Sequence, residues 1–187
     1  MKLDRSQLPN LLTALRILLV VPIVALLMNR AFEWALVLFA VAGVSDGLDG
    51  WLAKRYGWSS RLGSVLDPAA DKLLLVSSYL VLGALELLPW WLVVAVLGRD
   101  LVIVAGALAY HFWVGPYEMA PSRLSKLNTT LQIVLVLVVV LNQVLGWLPF
   151  PVLQALFWTV FATTVASGLG YVLVWGWRAW RVKRGMR

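Results

Sequence analysis

Six long apolar runs alternate with short segments rich in Lys, Arg, Gly and Pro. Runs of this length suit helices crossing a hydrocarbon core about 30 Å thick, at about 1.5 Å of rise per residue. The pattern predicts helices over residues 8–28, 31–54, 62–88, 92–112, 127–145 and 152–175. Pro22 falls inside the first and predicts a kink there. Asn29 and Arg30 form a tight turn, residues 55–61 a basic turn, and Pro89-Trp90-Trp91 an interfacial aromatic turn. Residues 113–126 read as a longer loop, 146–151 as a turn with two prolines, and 177–187 as a basic tail. The fold class expected is an all-α integral membrane protein with six transmembrane helices, one membrane-embedded domain over residues 1–187.

Composition sharpens this picture. Of 187 residues, 61% are hydrophobic and only 13% charged, with a mean hydropathy of +0.85, which excludes an ordinary soluble domain. The net charge of +7 points to basic cytoplasmic loops and anionic headgroups, with no nucleic-acid partner. Zero cysteines exclude disulfides and thiolate ligands. Arg16 and the lack of a small-residue cleavage site argue against a removed signal peptide. Lys2, Arg5, Lys54, Arg55, Arg61, Arg123, Lys126 and the tail cations gather on one side, and Arg30 alone on the other. The positive-inside rule then makes both termini and the turn at 55–61 cytoplasmic, and six spans satisfy that parity.

The candidate chemistry sits in residues 45–72, SDGLDGWLAKRYGWSSRLGSVLDPAADK, which hold four of the nine acidic residues. Ionisable groups beside lipid-spanning helices are costly and mark function by default. Asp46 and Asp49 are spaced i, i+3 and Asp67 and Asp71 i, i+4, so each pair shares a helix face. Two antiparallel helices could aim both pairs at one spot, where four bare carboxylates would repel one another. Divalent cation removes that repulsion, and an oxygen-only donor set favours Mg²⁺, Mn²⁺ or Ca²⁺ over zinc. Asp46 lies about 22 Å along its helix, toward the cytoplasmic end.

Gly50, Ala53 and Gly63 sit at helical spacing beside the aspartates and would let a ligand approach the backbone. Helix packing through small residues accounts for the glycines but not for four aspartates. Asp67-Pro68 also suits an N-cap followed by Pro at the first helical position, a role compatible with metal binding.

The order Asp46-x-x-Asp49-Gly50-x-x-Ala53-Lys54, eight residues, then Gly63-x-x-x-Asp67-x-x-x-Asp71, resembles the signature of the CDP-alcohol phosphotransferases, integral membrane enzymes of phospholipid synthesis. One position departs, with Lys54 where the family usually has Arg; charge is kept but the bidentate fork is lost. The resemblance implies that Asp46, Asp49, Asp67 and Asp71 hold divalent metal, Mg²⁺ or Mn²⁺ and two ions, with Asp71 also the catalytic general base. It implies that Gly50, Ala53, Lys54 and Gly63, with Asp49, line the CDP moiety. It also implies a homodimer. Pro9-Asn10-Leu11-Leu12-Thr13-x-x-Arg16 is similar to the family's opening, which puts Asn10 and Thr13 near the nucleotide. The alternative is a helix cap followed by an arginine snorkelling to the interface.

Beyond the signature, Gly98-Arg99-Asp100 and Pro121-Ser122-x-x-Ser125-Lys126-x-Asn128-Thr129-x-x-Gln132 resemble the cardiolipin synthases of this family. The phosphatidylglycerophosphate synthases carry two further basic residues, where this chain has Ala107 and Asn128. The expected reaction moves a phosphatidyl group from CDP-diacylglycerol to phosphatidylglycerol, giving cardiolipin and CMP. Arg99 and Lys126 are expected to hold the acceptor phosphate, although Arg99 could instead pair locally with Asp100. The alternative acceptor is a polyol phosphate, glycerol 3-phosphate. A divalent-cation transporter is the rival from another class, since intramembrane carboxylates also line ion pathways, but its site is expected near the midplane.

Overall fold

A computed structural model describes the backbone of residues 8–56, 63–113 and 122–183; side chains at 8–12, 49–50, 52–54, 56, 63–68, 107, 109–113 and 175–183 lie outside that description. The described residues form six helices and no strand: α1 (Leu8–Met28), α2 (Phe32–Tyr56), α3 (Gly63–Ala84), α4 (Trp90–Trp113), α5 (Arg123–Leu145) and α6 (Phe150–Lys183). α1 runs unbroken through Pro22. Helix existence and order follow the apolar pattern, and the boundaries move where capping decides them.

Three ends show how. α1 closes with the Arg30 amide donating to Leu27 and the Ala31 amide to Leu26, a Schellman cap that puts Arg30 in the left-handed region at φ 57°. α3 closes the same way around Glu86, at φ 62°, so it stops at Ala84 rather than at the expected residue 88. α5 ends on Gly146, at φ 60°, whose amide reaches the Asn142 carbonyl.

Helix starts also differ from expectation. The Pro89 carbonyl accepts from Leu92 and Val93, so Trp90 and Trp91 open α4 instead of forming a turn. The Ser122 hydroxyl accepts from the Ser125 amide as an N-cap, and residues 123–126 are helix rather than loop. α6 continues through Lys183, so most of the expected basic tail is helical. α3 begins at Gly63, which places Asp67-Pro68 inside the helix and excludes the N-cap alternative.

The described chain divides into two units. The first comprises Met1–Leu87 and Val136–Trp147, the second Leu88–Leu135 and Leu148–Arg187. In the first, α1 packs against both α2 and α3. Thr13, Arg16, Val20, Ile23 and Leu27 make one buried stripe on α1, stepping by alternate threes and fours, while Leu18 and Val21 face outward. In the second, α4 packs on α6, and Trp91 stacks on Trp158 at 4.8 Å with Phe161 edge-on to both.

Burial departs from that of a water-soluble protein. Arg16, Arg99, Asp100, Asn128 and Gln132 are buried, while Leu18, Val21, Val94, Leu101, Leu169 and Leu173 are among many exposed large apolar residues. Among the described residues, Arg123–Leu145 and Phe150–Val174 are long and apolar enough to cross a membrane; the apolar stretch Thr13–Met28 is shorter.

The left-handed caps give a direct test. A non-glycine residue there carries a steric penalty of roughly 1–2 kcal/mol, partly offset by the unfolded-state entropy that glycine adds. Glu86→Gly should therefore stabilise the protein by about 1 kcal/mol, whereas Gly146→Ala should destabilise it by about as much. Thermal unfolding in detergent reads both; a lower Tm for Glu86→Gly or an unchanged or higher Tm for Gly146→Ala would mean that the caps do not limit stability.

Candidate functional site

In the first unit the site begins with the buried face of α1. Thr13 and Arg16 stand one turn apart on the same stripe that packs the helix, and both are sealed from solvent. The Arg16 side chain is 1% exposed, so it does not snorkel to an interface. It points at carboxylates from two other helices. Its Nη1 donates to Asp71 Oδ1 at 2.7 Å, and its Nη2 lies 2.7 Å from Asp46 Oδ1. The Asp71 contact has hydrogen-bond geometry; the Asp46 contact is a charge contact outside that geometry, and Nε has no hydrogen-bond partner among the described residues.

The hairpin explains the register. Arg16 precedes the end of α1 by twelve residues and Asp46 follows the start of α2 by fourteen. Both therefore lie roughly 18–21 Å from the shared turn, at about 1.5 Å per residue. Ser45 is turned inward and bonds its hydroxyl to the Val41 carbonyl, which leaves Asp46 on the more open side of α2. Ala70 is likewise buried, and Asp71 next to it is open. The two carboxylates are about half exposed, at 55% and 51%. A buried cation thus faces two accessible anions.

The sequence predicts two antiparallel helices able to aim both aspartate pairs at one spot. Among the described residues, α2 and α3 each pack on α1, and a side chain of α1 joins one aspartate from each pair. Asp49, Gly50, Ala53 and Lys54 fall on α2, Gly63 and Asp67 on α3, and Asn10 on α1, but their side chains lie outside the described residues. No group of three or more potential metal ligands occurs among the described residues, and of the four aspartates only Asp46 and Asp71 have described side chains.

The residues that are described fit a divalent cation. Their donor atoms are carboxylate oxygens and both are half open to an incoming ligand, although Arg16 already occupies one oxygen of each. The first unit also has an open cavity of about 330 Å³, lined by Arg30, Glu33, Trp34 and Gln143 around the α1–α2 turn. It belongs to the other end of the hairpin from the carboxylates.

The second unit hides a separate polar network. Arg99 pairs with Asp100 at 2.9 Å, the local ion pair considered above, with both side chains under one-tenth exposed. Its Nη2 donates to the hydroxyls of Ser125 on α5 and Ser167 on α6, the latter at 2.8 Å, and Tyr171 lies with its ring centroid 5.8 Å from the guanidinium carbon. Farther along, Thr163 and Thr164 donate to Asn128 Oδ1 at 2.9 and 3.0 Å, and Gln132 donates to Thr164. Lys126 is exposed at the start of α5. Sequence reading had singled out Arg99, Ser125, Asn128 and Gln132 but not their partners Ser167, Thr163 and Thr164. The signal was available as polar residues at helical spacing within an apolar run. Arg16 was also absent from the expected metal and ligand set, although it follows Thr13 by three.

Comparison with known proteins agrees with the signature. The CDP-alcohol phosphatidyltransferase family matches residues 6–167. A probable cardiolipin synthase (CMP-forming) of Drosophila melanogaster is 33% identical over 88% of this chain and 56% of its own length. The human cardiolipin synthase (CMP-forming) is 31% identical over 87% and 60%, and that of Streptomyces coelicolor 37% identical over 76% and 62%. The chain thus spans about three-fifths of the length of these relatives. Because the match covers both aspartate helices, the α1 stripe and the Arg99 network, the chain belongs to the CDP-alcohol phosphatidyltransferase family.

Proposed function

We propose that the protein is a membrane-embedded, CMP-releasing transferase that makes cardiolipin from CDP-diacylglycerol and phosphatidylglycerol. The observation that carries this reading is the convergence of Asp46 and Asp71 on one charged centre, within a signature matched by the family. The names of the relatives support the acceptor, as does the shortage of acceptor-side cations relative to what a phosphomonoester needs. Glycerol 3-phosphate is the competing acceptor. Family membership favours phosphatidyl transfer over cation transport.

Asp46, Asp49, Asp67 and Asp71 would hold divalent metal, Mg²⁺ or Mn²⁺, as two ions. When bound, the metal offsets the charge of the diphosphate. Asn10, Thr13, Gly50, Ala53, Lys54 and Gly63 would line the CDP moiety. Asp71 takes the proton of the acceptor hydroxyl while that oxygen attacks the phosphorus bearing diacylglycerol. A new P–O bond forms, the P–O bond to CMP breaks, and CMP leaves with the electron pair. Lys126 is available to the acceptor phosphate; Arg99 would exchange a serine hydroxyl for a phosphate oxygen to reach it.

The apolar exterior, with charged and polar side chains buried in the core, supports six spans in a bilayer, with termini and carboxylates on the cytoplasmic side. CMP then departs into water while acyl chains remain in lipid. A homodimer accompanies this reading.

Two measurements test it. Purified protein with Mg²⁺ or Mn²⁺ should release CMP from CDP-diacylglycerol when phosphatidylglycerol is added, and lipid chromatography should show cardiolipin. Product formed only with glycerol 3-phosphate would transfer the assignment to the competing acceptor. Asp71→Asn should lower turnover by at least about a hundredfold, as loss of a general base does, while CDP-lipid binding persists; normal turnover would exclude Asp71 as the base. Orientation is accessible because the chain contains no cysteine. A single cysteine at Arg30 should react with impermeant maleimide from the extracytoplasmic side only, and one at Ser122 from the cytoplasmic side only.

A further inference from the structure

Arg16 has no role in the reaction proposed above, yet among the described residues of its unit it is the most deeply buried charge, and it touches both Asp46 and Asp71. A guanidinium is permanently protonated, so sealing it inside a helical bundle requires carboxylates within reach. Those carboxylates are the ones that the proposed function assigns to metal. A divalent cation and Arg16 therefore compete for the same oxygens.

We propose that Arg16 is a built-in counter-cation of the carboxylate site, holding Asp46 and Asp71 together in the metal-free protein and weakening their affinity for a divalent cation. This rests on the reading that the aspartates bind metal. Its geometry sets an order of events. The Asp71 contact is a hydrogen bond from Nη1, and the Asp46 contact is a charge contact without hydrogen-bond geometry. Asp46 is the partner that yields to an incoming cation, while Asp71 stays anchored to α1. Arg16 is in that sense a positioning residue: it keeps one carboxylate oriented while the other changes partner. It also removes the mutual repulsion of the carboxylates when no metal is present, so the helices stay packed through cycles of loading and release.

The test is Mn²⁺ binding to the purified full chain, followed by electron paramagnetic resonance, with thermal unfolding measured with and without Mg²⁺. Arg16→Gln should tighten Mn²⁺ binding by about tenfold, since a fixed positive charge beside the metal is removed. It should also lower the metal-free Tm and enlarge the rise caused by Mg²⁺. Arg16→Lys keeps the charge but not the fork that reaches two carboxylates, and should tighten binding by about threefold. If Arg16→Gln yields no folded protein, Arg16→Lys decides the matter alone. Unchanged or weaker Mn²⁺ binding in the folded variants overturns the counter-cation role.

Asp46→Asn separates this failure from failure of the metal reading. If wild-type protein binds Mn²⁺ and Asp46→Asn largely loses it, the metal reading stands, and the Arg16 variants judge the proposal by themselves. If wild-type protein binds no Mn²⁺, or Asp46→Asn binds it equally well, the metal reading falls and the counter-cation role falls with it.

Discussion

A permanently charged guanidinium that faces no water must face anions, and in the first unit this condition links three helices. Arg16 sits on the packing stripe of α1, between Thr13 and Val20, so its direction is fixed by the same contacts that bury Ile23 and Leu27. α2 and α3 must then present carboxylates at its level, and Asp46 and Asp71 do so. A continuous apolar stripe would pack as well but would leave the register of the three helices less defined. Charge pairing in a low-dielectric interior makes that register specific.

The second unit answers the same problem differently. Arg99 is compensated by its neighbour Asp100, and its Nη2 donates to hydroxyls on two other helices. Below it, Asn128 and Gln132 continue one α5 stripe that turns apolar at Leu135 and Val139. The Asn128 oxygen and the Gln132 amide nitrogen each meet a threonine of α6. Satisfying such groups internally matters most where the surroundings are apolar, which agrees with a surface rich in exposed leucine and valine. The two units thus use buried polarity for distinct ends. One leaves its anions half open to a ligand, and the other closes its cation away.

How much was legible in the sequence varied by scale. Six helices in this order follow from apolar runs separated by polar breaks, and Leu8–Met28 is recovered to the residue. Ends were less legible because caps are local backbone events. A Schellman cap on Glu86 shortens α3, and a serine cap at 122 lengthens α5 at its start. Glutamate does not announce a left-handed cap, whereas Ser122 is of the type preferred at a helix N-cap and was a signal left unused. The aspartate signature was fully visible, since its spacing is a property of one helix at a time.

The sequence by itself determined the helices, the family and the carboxylate faces, because helical periodicity and a fixed-gap motif need no knowledge of neighbours. It could not say what those faces would meet. Arg16 read as a side chain snorkelling to the interface, and only packing of α1 against two helices buried it beside Asp46 and Asp71. Likewise Ser167 joins Arg99 across 68 positions of sequence. Contacts between groups remote in the chain are fixed by which helix faces share a core, and that is decided when the whole bundle packs.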